Sequence, residues 1–152
     1  MKILFASSEG APFAKSGGLG DVIEALPQEL SKSPDTEVAV VLPYYKKLKE
    51  NKDYDIKFLT SFFVPLAWRQ VYVGIFTAKI KKVTYYFIDN EYYFNRDGGF
   101  YGHYDDGERF TYFSKTILES LRHLRFMPDI IHANDWQTAT IPVFLKAFYQ
   151  SI

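Results

Sequence analysis

Two short segments hold residue types that could do chemistry. The first is Lys15-Ser16-Gly17-Gly18-Leu19-Gly20-Asp21. Gly17 and Gly18 have no Cβ, so their backbone N–H groups can approach an anion. A helix beginning near Asp21 would aim its positive end at the same place. Lys15 adds a mobile ammonium able to reach phosphate oxygens. Together these features describe a phosphate cradle. They also fit a flexible glycine turn with a solvated lysine and Asp21 as a plain N-cap. The second segment is Asn134-Asp135-Trp136-Gln137. Asp135 should lie just beyond a buried strand, where a carboxylate can accept hydrogen bonds from sugar hydroxyls. Asn134 and Gln137 have the spacing of a capping box, which would leave Asp135 free. Trp136 could stack on a sugar, although its type favours core packing.

Other site chemistries fit poorly. A P-loop needs glycine just before its lysine, and Ala14 stands there. A dinucleotide fingerprint starting at Gly18 would place its third glycine on Ile23, and no acid follows the second strand. Ser16 lies too far from a strand to sit on a nucleophile elbow. His103, His123 and His132 show no metal-binding spacing, so no metal is expected. His123 reads as solvated. His132, at a strand end, reads as either a core histidine or a donor into a cleft.

These segments need a scaffold. Lys2 to Ser7 and Glu37 to Leu42 are continuous apolar runs, as expected for parallel strands covered on both faces. A helix is expected from about Asp21 to Lys32, with Val22, Leu26 and Leu30 at four-residue spacing and Pro27 kinking it or splitting off its first turn. Ile56–Val64, Arg69–Lys79 and Val83–Ile88 read as a β-meander insert. Asn90 to Gly107 reads as a loop. A helix over Asp105–Arg125 carries the stripe Phe110, Phe113, Ile117, Leu121, Leu124, with Glu108, Lys115, Glu119 and Arg122 opposite. A third buried strand, Asp129–Ala133, and a helix from Thr138 to Tyr149 complete an α/β, Rossmann-like, mostly parallel sheet.

Composition narrows the function. The 152 residues fit one domain. Basic and acidic side chains balance at 18 each, which leaves no electrostatic footprint for nucleic acid or an anionic membrane. Without cysteine there is no disulfide, zinc-thiolate site or thiol nucleophile, which fits a cytoplasmic location. No signal-peptide or membrane-spanning run is visible. The 14 Phe, 12 Tyr and 2 Trp are the compositional outlier; most should fill the core, though exposed rings are what sugar-binding surfaces use.

Four collinear motifs resemble one family. Lys15-Ser16-Gly17-Gly18-Leu19-Gly20-Asp21-Val22 is similar to the K-T/S-G-G-L-G-D-V signature of bacterial glycogen synthases and plant starch synthases. Lys2 to Glu9 resembles their first strand, and Asp89 to Arg96 with Tyr101-Gly102 their loop after the meander. His132-Ala133-Asn134-Asp135-Trp136-Gln137-Thr138 resembles H-x-H-D-W-H/Q-T, with Asn134 in place of the second histidine. Ser16 stands where threonine is commoner. The resemblance implies a GT-B glycosyltransferase that moves glucose from ADP-glucose to the non-reducing end of an α-1,4-glucan with retention. It implies donor binding at Lys15, Gly17 and Gly18, catalytic roles for Asp21 and Asp135, and cleft positions for His132 and Trp136. ADP-glucose would be a substrate, and no cofactor is expected.

Family members are several-fold longer. The chain therefore resembles an incomplete amino-terminal Rossmann-like domain without the second GT-B domain, inactive alone and prone to self-association through an open sheet edge. A non-catalytic glucan-binding module and a different GT-B enzyme are the alternatives.

Overall fold

In the computed structural model, which describes residues 1–149, six strands form one sheet in the order β3-β4-β5-β2-β1-β6. β1 (Lys2–Ala6), β2 (Glu37–Pro43), β5 (Val83–Asp89) and β6 (Ile130–Ala133) run parallel. β3 (Lys57–Leu66) and β4 (Arg69–Ile80) join antiparallel and make the expected meander with β5. The continuous apolar runs arise because both faces of the parallel strands are covered. Leu4, Ala6, Ala39 and Val41 enter one core layer, under the helix α4 (Asp106–Ser120). Ile3, Phe5, Val38 and Val40 enter the other, with Ile23 of helix α1 (Gly18–Leu30).

Several elements depart from the sequence reading. α1 starts at Gly18, three residues before Asp21, and runs on through Pro27. Its buried residues are Gly20, Ile23 and Pro27, whereas Val22 and Leu26 are exposed. The earlier start sets the face, because Ile23 must pack on Gly10, where an added Cβ would lie 2.7 Å from Ile23 Cγ2. Two short helices were not expected: α2 (Lys46–Glu50), anchored by Leu48, and α3 (Glu91–Phe94), capped when Tyr93 N–H donates to Asn90 Oδ1 at 3.0 Å.

The expected stripe on α4 is buried, but so is Glu119, placed on the outer side by the sequence reading. Its carboxylate accepts from Tyr149 Oη and Arg122. α4 also ends at Ser120 instead of Arg125. β6 is not buried. It lies at the sheet edge with β1 on one side, and Ile130, His132 and Ala133 are exposed. The last expected helix divides into a 3₁₀ turn at Trp136–Thr138 and α5 (Ile141–Phe148), with Pro142 in the first turn. Among the described residues, no helix is long and apolar enough to cross a membrane.

Candidate active site

β1 and β6 are parallel neighbours, with Ala6 opposite Ala133, so the loops that follow them emerge side by side. Asn134 fastens the pair. Its backbone N–H and its Nδ2 both donate to Ala6 O, each at 3.1 Å, and Nδ2 also donates to His132 O at 2.9 Å. Asn134 is therefore not the helix cap that its spacing suggested. Asp135 takes that role, and its Oδ1 accepts from Trp136 N–H at 2.7 Å. Asp135 is exposed, with φ 63° and ψ −179°. That region of backbone space is essentially reserved for glycine and costs on the order of 1–3 kcal/mol, so the surrounding fold holds this carboxylate in place against strain.

In the glycine loop, Gly17 and Gly18 are exposed, and a Cβ at Gly18 would meet nothing within 4 Å. The close approach is at Gly20, where an added Cβ would stand 2.8 Å from Lys15 Cγ. The stem of Lys15 lies on this bare backbone. Its ammonium donates to Asp21 Oδ1 at 2.6 Å, and both side chains are solvent-accessible. The hydrogen bond to Asp21 and its charge raise the Lys15 pKa. Asp21 sits in the first turn of α1, and the helix is capped from elsewhere in the chain.

That cap is Glu9, which the sequence reading did not single out. Its Oε1 accepts from Gly17 N–H at 3.1 Å and Gly20 N–H at 3.2 Å. Its Oε2 accepts from Ser16 Oγ at 2.5 Å and Tyr101 Oη at 3.0 Å. A carboxylate of the chain itself thus occupies part of the anion cradle formed by the positive helix end. Burial acts to raise the Glu9 pKa, but the hydrogen bonds from Ser16, Tyr101, Gly17 and Gly20 outweigh it and hold the group below the ordinary glutamate value.

Tyr101 connects the two loops. Its hydroxyl meets Glu9 and Ser8 Oγ, and its ring centroid lies 5.9 Å from that of Trp136. Burial, followed by the charge of Glu9, pushes its pKa up, against the hydrogen bond with Ser8. Arg109 holds the Tyr101 segment. It is 1% exposed and donates to Tyr93 O, Phe100 O and Asp106 Oδ1 at 2.8–2.9 Å. The signals for both lay in the sequence, as a tyrosine before Gly102 and an arginine beside the apolar stripe of α4, but only the fold brings them together.

Trp136 packs edge-on against Phe110 at 5.2 Å and remains half-exposed, so it is not the core residue its type suggested. His132 lies over Phe5 with 4.7 Å between ring centroids and faces outward. His123, expected to be solvated, is exposed but stacks on Phe62 at 4.0 Å. Among the described residues, no three His, Asp or Glu side chains gather around a metal-sized space.

A family model described as the starch synthase catalytic domain matches residues 2–152. The chain is 50% identical to the glycogen synthase of Ligilactobacillus salivarius over 149 residues, which is 98% of this chain and 31% of that protein. It is 50% identical over 150 residues to the glycogen synthase of Alkaliphilus metalliredigens, again covering 31% of that protein. The catalytic domain of starch synthase IV from Arabidopsis thaliana, solved bound to ADP and acarbose, superposes with a TM-score of 0.85 at 34% identity, covering 97% of this chain and 30% of that one. The chain thus spans about a third of the length of these relatives. With these matches and a parallel sheet that sets its glycine loop beside an exposed, strained aspartate, the chain belongs to the starch synthase catalytic-domain family of glycosyltransferases.

Proposed function

We propose that the chain is the amino-terminal part of a glycogen or starch synthase, which transfers glucose from ADP-glucose to the non-reducing end of an α-1,4-glucan with retention. The observation that carries this reading is the bridge from Glu9 through Tyr101 to Trp136, which joins the cation-bearing loop after β1 to the carboxylate-bearing loop after β6. Ligands of open α/β sheets bind beyond the carboxyl ends of such strands. In this reading Lys15 exchanges Asp21 for the diphosphate of the donor, and Gly18 allows the phosphates to approach the backbone. A cation fixed near the leaving group stabilises the charge that develops as the sugar–phosphate bond breaks. Asp21 keeps Lys15 in place before the donor arrives. Asp135 orients the acceptor hydroxyl, which contributes through positioning. Trp136 and His132 border the acceptor path.

The same reading makes residues 1–152 an incomplete Rossmann-like domain, facing a second domain that supplies the rest of the donor site. It places the protein in the cytoplasm with no membrane or nucleic-acid partner, and gives the open edge of β6 a tendency to self-associate. ADP titration followed by calorimetry tests the donor half. The chain should bind ADP weakly, and Lys15→Ala should abolish the signal. An unchanged affinity in that variant would refute the role of Lys15. Elongation of glycogen from labelled ADP-glucose by the chain alone would refute the division between two domains.

A further inference from the structure

Glu9 is tied more tightly than a helix cap requires. It is 2% exposed, and it accepts from Ser16, Gly17, Gly20 and Tyr101. A cap satisfies one or two of the free N–H groups at the start of a helix. The remaining bonds of Glu9 reach a hydroxyl of the glycine loop and the segment after α3.

The chain around Glu9 is closed on itself. Gly10 N–H donates to Ala14 O at 2.7 Å, and Ala14 N–H donates back to Gly10 O at 3.0 Å. The Ser7 hydroxyl donates to Glu9 O at 2.7 Å. Ala11 N–H donates to Gly20 O at 3.0 Å. Gly20 is therefore held at its N–H by Glu9 and at its carbonyl by Ala11.

Which amides Glu9 takes is selective. Of the four N–H groups from Gly17 to Gly20, it accepts from the first and the last. Gly18 N–H and Leu19 N–H have no partner among the described residues. Gly18 is exposed and Leu19 half-buried. They are the first two residues of α1, where N–H groups point along the helix axis at an arriving anion. A buried carboxylate with four donors does not give way to a phosphate. It keeps the inner amides and presents the outer ones.

Without that grip, a turn carrying two exposed glycines would visit many conformations. Only a fraction of them would aim both outer amides at one point, and apparent affinity falls by that fraction. Fixing the turn beforehand removes the ordering cost from the binding step.

We propose that Glu9 is a positioning residue for donor binding: it fixes the turn from Gly17 to Gly20 so that Gly18 N–H and Leu19 N–H converge on a phosphate of the nucleotide, without itself touching the ligand. This deepens the reading of the glycine loop as the donor site and rests on it.

ADP titrated into the isotope-labelled chain, followed at the Gly18 amide signal, tests the role. In the native chain that signal should move and saturate. Glu9→Ala should weaken ADP binding about tenfold or more. Glu9→Gln keeps a carbonyl for Gly17 and Gly20 but no longer accepts from Ser16 and Tyr101, and should weaken it about threefold. Ile117→Val removes a methylene from the core layer on the other face of the sheet. It lowers stability and should leave ADP affinity unchanged, which separates positioning from support of the fold. Should Glu9→Ala fail to fold, Glu9→Gln decides. Native affinity in Glu9→Gln overturns the proposal. Tighter binding overturns it as well, because Glu9 would then be a competitor for the cradle. So does an equal loss of affinity in Ile117→Val. ADP that leaves the whole glycine loop of the native chain unmoved sinks the donor reading and the proposal with it. ADP binding by the native chain with no loss in the Glu9 variants sinks the proposal alone.

Discussion

Tyr101 Oη donates to Glu9 Oε2 at 3.0 Å, so a residue after the meander fixes a carboxylate 92 positions earlier. That carboxylate in turn holds the first turn of α1. Hydrogen bonds to charged groups contribute about 1.5–3 kcal/mol, and the pair should couple at that level. Urea denaturation of Tyr101→Phe, Glu9→Gln and the double variant should give a coupling energy in this range. Additive losses would show that each residue acts alone.

The low pKa of Glu9 sets a pH window. Hydrogen bonds from Ser16, Tyr101, Gly17 and Gly20 favour its ionised form, and burial opposes them less strongly. A group depressed in the folded state stabilises the fold above its unfolded value, and that contribution is lost as pH falls through the folded value. The melting temperature of the native chain should exceed that of Glu9→Gln at neutral pH, and the gap should narrow below the ordinary glutamate value of 4.5. A gap that is constant down to strongly acid pH would contradict the ionised network.

Asp135 combines a strained backbone with an exposed carboxylate. Glycine relieves a positive φ and alanine does not, although glycine costs more chain entropy on folding. Asp135→Gly should therefore be more stable than Asp135→Ala by about 1 kcal/mol, read from denaturant midpoints. Under the acceptor-orienting role proposed for Asp135, both variants should lose turnover alike in the enzyme containing this domain. Equal stability of the two would mean that the backbone relaxes without cost.

Arg109 is a buried cation whose three acceptors come from three different segments. Removing it takes the Arg109 donor from two carbonyls and from Asp106 Oδ1, while Asp106 Oδ2 keeps Gly102 N–H at 2.8 Å. Arg109→Met should cost about 3–5 kcal/mol. If the chain still folds, hydrogen exchange across residues 95–105 should quicken more than exchange in β1. Uniform quickening everywhere would mean that Arg109 supports the whole core and not this segment.

The parallel strands could be read from the sequence because a sheet covered twice needs apolar residues at every position. Leu4 and Phe5 are neighbours in the chain and enter opposite core layers. The stripe from Phe110 to Leu124 was equally plain: its spacing sets one side of α4 as far as Ile117, and Leu121 and Leu124 are buried just beyond the end of that helix. The face of α1 was not legible. Glu9 and the contact between Ile23 and Gly10 start that helix three residues early, which leaves Val22 and Leu26 outside. The exposure of β6 was also hidden, because a strand buried on both faces and a strand at an edge can share one short apolar run. Within the site, Lys15, Asp21 and Asp135 could be picked by type and spacing. Glu9 could not, because the sequence does not show that a loop returns a tyrosine to it. The exchange of roles between Asn134 and Asp135 follows from the position of Ala6 O, which only the pairing of β1 with β6 reveals.

Gly20 gives shape control over charge. A methyl group placed there would lie 2.8 Å from Lys15 Cγ and 3.3 Å from its Cα. The backbone cannot withdraw easily, so the flexible stem must swing aside and carry its ammonium with it. The smallest uncharged substitution in this loop would thus register as a relocated cation, and a survey of variants that scores only charge changes would overlook it.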